Sequence, residues 1–141
     1  MQAMEISRTG LDVEWRRLEV IAENIANAST TRTALGGPYR PMRLVSGPKA
    51  DFARLMGESR PADLAGVTVL GVEPMQTASR RVLEPGHPHA DADGYVTYPG
   101  FDHAAEMTLM VKTSRAYEAN LVAMNAARQM YAKALDLGKR P

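Results

Sequence analysis

The chain contains no cysteine, which excludes disulfides and thiolate metal sites. It has no stretch approaching the roughly 20 apolar residues that span a bilayer. Its first segment, MQAMEISRTGLDVEWRR, is interrupted by charge every few residues and so lacks the apolar heart of a secretory signal. Export, where it occurs, is therefore expected to use a route without a cleaved hydrophobic signal. An excess of one charge is missing too: 17 basic residues face 16 acidic ones, for a formal net charge of +1. That balance argues against a nucleic-acid binder, which usually carries a basic stripe, and against a polybasic membrane anchor. The chain also lacks a GxSxG elbow, a P-loop and a GxGxxG turn, so no catalytic residue and no cofactor is nominated and an enzyme has no positive support.

What is present is the composition of an ordinary folded chain, 45% hydrophobic and 23% charged over 141 residues. Glycine and proline divide it into three. All but Gly10, Gly138 and Pro141 lie between Gly36 and Gly100. Both residues interrupt helix interiors, so the flanks can be long helices and the middle cannot. The expected organisation is an N-terminal helix and turn over 1–32, a β and loop domain over 33–101, and a C-terminal helix over 102–141.

In the first flank, Met4, Leu11, Leu18 and Ile25 recur every seven residues. Trp15 and Ala22 fall on the same face and Ile21 widens the stripe, while Arg8, Asp12, Arg16, Glu19 and Glu23 occupy the other side. The pattern predicts an amphipathic helix over about 4–26 with a coiled-coil-like seam. Gly10 weakens it locally, by about 1 kcal/mol relative to alanine. In the last flank, Met110, Tyr117, Met124 and Tyr131 again recur every seven, with Met107, Leu121 and Leu135 close by on one face. Asp102 suits an N-cap and Gly138 a C-terminal stop. A helix over 103–137 is roughly 50 Å long at about 1.5 Å per residue. It can bury its stripe only against the first helix, against neighbouring chains, or both. Asn24, Asn27, Asn120 and Asn125 lie in or beside the seams; Asn27 fits a capping role and Asn120 a register role.

The middle is read as short β structure: residues 43–45 after the turn at Gly36-Gly37-Pro38, residues 67–72, and residues 95–98 directly after Asp91-Ala92-Asp93-Gly94. Residues 49–66 and 84–91 read as loop, with a weak helical tendency at 52–56. His87, His89 and His103 stand in or beside loops with no carboxylate pair at ligand spacing, so they are taken as exposed loop histidines and no metal ligand is nominated. The Asp91 segment fails as a calcium loop, because the sixth and twelfth positions counted from it are Val96 and Asp102. It is read as a turn. The fold class expected is mainly α with a small β insertion.

Asn24-Ile25-Ala26-Asn27-Ala28-Ser29-Thr30-Thr31 resembles the N-terminal signature of flagellar rod and hook axial proteins. Gly36-Gly37-Pro38-Tyr39-Arg40, Asp93-Gly94-Tyr95-Val96-Thr97-Tyr98-Pro99, Ser114-Arg115-Ala116-Tyr117-Glu118-Ala119-Asn120 and Lys133-Ala134-Leu135-Asp136-Leu137-Gly138 narrow the resemblance to proximal-rod members of that family. The sequence departs from the family at Gly100-Phe101-Asp102, and residues 50–82 carry no shared motif.

The resemblance implies a structural subunit of the basal-body rod, in the periplasmic space. Its terminal helices would order on assembly and pair in the inner tube, with the middle forming an outer domain. It implies partners among FlgB-, FlgF- and FlgG-type rod proteins, the rod-base protein FliE, copies of the chain itself and the type III export apparatus, with no nucleic acid and no membrane insertion. The assembly interface is expected at Leu11, Trp15, Leu18, Ile21, Ile25, Asn27, Met110, Tyr117, Asn120, Leu121, Met124, Tyr131 and Leu135. The alternatives are another rod subunit of FlgB or FlgF type, and a free-standing adaptor built on an intramolecular helical hairpin.

Overall fold

Flanks without proline or clustered glycine leave the backbone free to form uninterrupted i to i−4 hydrogen bonds, and both flanks do so. In a computed structural model, which describes residues 2–49 and 66–138, they form α1, Gln2–Ala26, and α2, His103–Gly138. Four strands lie between them: β1, Met42–Pro48; β2, Val67–Pro74; β3, Arg80–Leu83; and β4, Tyr95–Tyr98. They make two separate antiparallel pairs, β1 with β2 and β3 with β4. The fold is mainly helical with a small β insertion, as the sequence predicts. The weak helical tendency at 52–56 lies outside the described residues. No helix among the described residues is long and apolar enough to cross a membrane.

Both helix termini named from sequence have local causes. The Asp102 carboxylate accepts the Ala105 backbone N–H at 3.0 Å, satisfying one orphan donor of the first turn of α2. At the end of α1 the Asn27 side-chain amide donates to the Glu23 carbonyl at 2.9 Å, and its oxygen accepts the Thr30 hydroxyl at 3.1 Å. Asn27 is a cap, as its place before a polar turn suggests.

The helices run antiparallel, with Asn24 beside Glu106 and Gly10 beside Asn120. α1 is covered on two sides, by α2 and by the β1–β2 hairpin. This changes which of its residues form the core. The heptad positions Leu18 and Ile25 are only half-buried, whereas Val13 and Val20 are fully buried with Leu11 and Ile21. Gly10, Val13, Arg17, Val20 and Asn24 form a second stripe at helical spacing, and the hairpin packs against that side.

The hairpin is pinned to α1 near both of its ends. Asn24 bonds the backbone of Met42, and the Arg17 guanidinium donates to the Ser46 hydroxyl at 2.9 Å. At the far end the Lys49 N–H donates to the Gly66 carbonyl at 3.0 Å, and the Val67 N–H donates to the Thr9 hydroxyl at 3.1 Å. Gly66 has φ +87°, and a Cβ there would overlap the Thr9 hydroxyl, so both conformation and space require glycine.

β3 was not anticipated from sequence. Arg80-Arg81-Val82-Leu83 has one β-branched residue, and three of its four side chains are exposed. It forms because β4 supplies a partner and two ring faces. The Arg80 guanidinium carbon lies 5.6 Å from the centre of the Tyr98 ring, and that of Arg81 lies 4.7 Å from the Tyr95 ring. Val96 on β4 is completely buried. The turn before β4 is as expected: Gly94 has φ 79°, and an Asp91 carboxylate oxygen accepts the N–H groups of Asp93 and Tyr95 at 3.0 and 2.8 Å.

Candidate assembly interface

Helical spacing brings two apolar seams together, and the contact they make is incomplete. Leu11 and Ile21 are buried, while Leu18, Ile25, Met110, Tyr117, Asn120 and Met124 are half-buried. Trp15 remains 57% exposed, its ring 6.2 Å from that of Tyr117 and tilted by 51°. Its indole N–H donates to Glu19 at 3.2 Å, and Arg16 pairs with the same carboxylate at 2.7 Å. Leu121, Tyr131 and Leu135 are not covered; the last two are 44% and 49% exposed.

For Tyr131 and Leu135 the reason is a mismatch of length, whereas Leu121 lies within the span of α1 and is exposed on the flank of the seam. Met4, Glu5 and Arg8 on α1 share a surface depression with Met124, Asn125 and Arg128 on α2. Beyond Arg128, α2 runs past the start of α1 for about ten residues, or about 15 Å. The α2 seam continues into that overhang, since Tyr131 follows Met124 by seven residues. Met130 and Leu137 are exposed there as well. The apolar residues of α2 also spread onto its outer side, where Met107, Val111 and Val122 face solvent. A soluble helix with one neighbour normally confines its apolar residues to one stripe.

The opposite end of the helical pair is closed by Asn24, which is 1% exposed. Its amide nitrogen donates to the Met42 carbonyl at 2.7 Å and reaches Glu106 at 3.4 Å. Its amide oxygen accepts the Met42 N–H at 2.8 Å and the Tyr39 hydroxyl at 3.0 Å. One side chain thus joins α1, the entry to β1 and the first turn of α2. Burial raises the Tyr39 pKa above its ordinary value, and the nearby negative charges of Glu23 and Glu106 act the same way. Tyr39 therefore stays neutral and able to donate. Sequence points to Asn120 as the register asparagine; Asn24 and Tyr39 appear there only as members of shared motifs, and Glu106 carries no sequence signal. The signal for Asn24 was its fourteen-residue spacing from Gly10 through Arg17, two heptads along one face.

Gly10 also gains a role that propensity does not show. A Cβ at Gly10 would lie 2.9 Å from both the Asn120 amide nitrogen and oxygen. The missing side chain is the notch that admits Asn120, so the helix-weakening residue and the asparagine read from sequence as a register residue are one contact. Gly100 is a second close approach: a Cβ there would overlap the Ala78 carbonyl, where the exit from β4 crosses the link between β2 and β3.

No arrangement of acid, base and nucleophile appears among the described residues. His87 is half-buried, its ring 5.3 Å from that of His89 and 6.5 Å from that of Tyr98, and the His89 ring pairs with the Thr31 hydroxyl at 2.8 Å. No group of three or more His, Asp or Glu among the described residues is placed to hold a metal ion.

Comparison with known proteins accounts for the termini and for the whole length. Residues 4–32 match the family model described as flagella basal body rod protein, and residues 92–137 match flagellar basal body rod FlgEFG protein C-terminal. The chain is 35% identical over 144 residues to the flagellar basal-body rod protein FlgC of Borreliella burgdorferi, covering 96% of this chain and 95% of that protein. It is 34% identical over 139 residues to FlgC of Salmonella typhimurium, covering 99% and 98%, and 32% identical over 147 residues to FlgC of Bacillus subtilis, covering 97% of each.

Proposed function

The chain belongs to the FlgC family of flagellar basal-body rod proteins, structural subunits and not enzymes, and from that premise we propose that its terminal helices hold it in a helical drive shaft as a proximal-rod element. The observation that carries the reading is the overhang of α2, whose seam residues Tyr131 and Leu135 have no cover within the chain. An exposed apolar strip of this length is costly in water and is removed by a neighbouring helix.

Leu11, Trp15, Leu18, Ile21, Ile25, Met110, Tyr117, Asn120, Leu121, Met124, Tyr131 and Leu135 make up the proposed assembly core. Some act by shaping the helical pair and others by meeting neighbours; Asn27 caps α1. Residues 1–32 and 102–141 serve as the axial part and 33–101 as an outer domain. Beyond association with rod proteins in general, the partners proposed are FlgB-, FlgF- and FlgG-type subunits, FliE and further copies of the chain. The helical pair is well anchored at Asn24 and sparsely covered at its other end, so that end orders when neighbours cover it. Passage through the type III export apparatus to the periplasmic space without a cleaved signal belongs to the same proposal.

The test is a gene deletion complemented with Leu121→Asp. The deletion strain should not swim, with membrane rings present but no rod or hook in electron micrographs. The variant should fail to restore rods while its β hairpins remain folded. Normal flagella in the deletion strain, or rods containing the aspartate variant, would refute the reading.

A further inference from the structure

Each helix carries a second exposed stripe that its own partner does not cover. On α1, Asp12, Trp15, Glu19 and Glu23 follow helical spacing along one exposed face. Asp12 and Glu23 have no ion-pair partner among the described residues, and Glu19 is held against Arg16 beside the Trp15 indole. The face is acidic around one large aromatic plate. On α2, Met107, Val111, Arg115 and Val122 follow helical spacing with Lys112 beside them, and the exposed Glu118 stands in the same row one turn beyond Arg115. They point away from the side where Glu106, Thr113 and Asn120 meet α1. Met107, Val111, Lys112 and Arg115 line one shallow, mostly apolar depression. Neither Lys112 nor Arg115 has an acidic partner among the described residues.

The two stripes complement each other in charge, shape and length. Eleven residues separate Asp12 from Glu23, about 16 Å of helix, and fifteen separate Met107 from Val122, about 22 Å. An exposed tryptophan suits an aliphatic hollow containing a methionine. Within one chain they cannot meet, because Trp15 leans on Tyr117 on the other side of α2.

We propose that the acidic Trp15 face of one copy seats in the basic Met107–Val111 face of a second copy, a contact that rests on the rod reading and assigns it a partner and a polarity. Trp15 covers Met107 and Val111; with the two helices parallel, Glu19 and Glu23, about one and two turns beyond Trp15, approach Lys112 and Arg115. The two surfaces are different, so the contact is head-to-tail and each copy keeps one free face of each kind, which continues the array.

Charge exchange tests this in the complemented deletion strain. All four charged positions are exposed, so the variants keep the fold, which circular dichroism of each purified chain verifies. Lys112→Glu with Arg115→Glu, and separately Glu19→Arg with Glu23→Arg, should each reduce completed basal bodies at least about tenfold, through like charges brought together. All four changes in one chain should restore swimming. Because the chain has no cysteine, a second experiment co-expresses Trp15→Cys and Val111→Cys copies bearing different tags. Disulfide-linked pairs should join the two tags, and neither variant alone should give dimers. Wild-type assembly of both charge variants, a fourfold variant no better than either parent, or no mixed disulfide would each overturn the contact. None of these results would disturb the rod assignment, which fails only if the deletion strain builds normal flagella.

Discussion

Replacing Asn24 tests whether one buried amide joins the three parts of the subunit. In Asn24→Leu the side chain keeps its size but leaves the Met42 N–H and carbonyl without the partners now at 2.8 and 2.7 Å, and the Tyr39 hydroxyl without its acceptor at 3.0 Å. Each buried polar group left unpaired costs about 1–3 kcal/mol, and some regain water, so a total of about 3–5 kcal/mol is expected. Against a typical total stability of about 5–15 kcal/mol that is a large fraction. At about 4 °C per kcal/mol for a chain of this size, the melting midpoint of the free subunit should fall by about 12–20 °C. Asn24→Asp separates the donors from the acceptors. It keeps both bonds to the amide oxygen but turns a carboxylate toward the Met42 carbonyl and the Glu106 carboxylate, so it should be at least as damaging as leucine. Adding Glu106→Gln should return part of that loss, because the glutamine can donate where two anions faced each other. Thermal melts followed by circular dichroism measure all four chains. A midpoint shift below about 3 °C for Asn24→Leu, or no recovery in the double variant, would refute the hub.

Three further outcomes follow from contacts already described. Gly10→Val should destabilise the helical pair by about 1–3 kcal/mol by pushing on Asn120, and Asn120→Ala in the same chain should recover most of it in the same melts. Gly100→Ala should loosen the crossing at Ala78 and expose the link between β2 and β3 to limited proteolysis, whereas Gly86→Ala, with open space around it, should not. The Tyr95 and Asp93 N–H groups, with Arg81, hold Asp91 below its ordinary value of 3.8. A depressed carboxylate contributes stability that is fully present above that value and lost as pH falls through the lowered one. The amide signals of Asp93 and Tyr95 should therefore stay constant above about pH 4 and move only below it, and Asp91→Asn should remove that titration.

Periodicity made the two helices legible, because seven-residue repeats in α1 and α2 survive without knowledge of what covers them. It misplaced the centre of the α1 core for a physical reason. Heptad counting favours the largest apolar residues, Leu18 and Ile25, while burial follows the neighbours, and the β1–β2 hairpin covers the smaller Val13 and Val20. The Asp91 turn and the caps at Asn27 and Asp102 were readable because their chemistry is local. β3 was not, since its strand character comes from the Tyr95 and Tyr98 rings, well over ten residues away in sequence. The packing roles of Gly10 and Gly100 were not readable, because a glycine's reason for being small lies in the atom that approaches it. Among the interface residues, sequence distinguished the apolar from the polar, but the relative lengths of the helices, which leave Tyr131 and Leu135 open, and the flank positions of Trp15 and Leu121 are visible only in the fold.

The mouth of the β1–β2 hairpin has a consequence for protein engineering and for drift in length. The Lys49 N–H to Gly66 carbonyl bond and the Thr9 clamp on Val67 close the hairpin before the chain departs between them, so the stem has its own fastening. A fluorescent tag or epitope placed between those residues starts and finishes at one anchored point beside α1. Doubling the length of a flexible insertion costs only about 0.6 kcal/mol in closure entropy. With that fastening, a change of length at this one point leaves the register of α1 and α2 as it is.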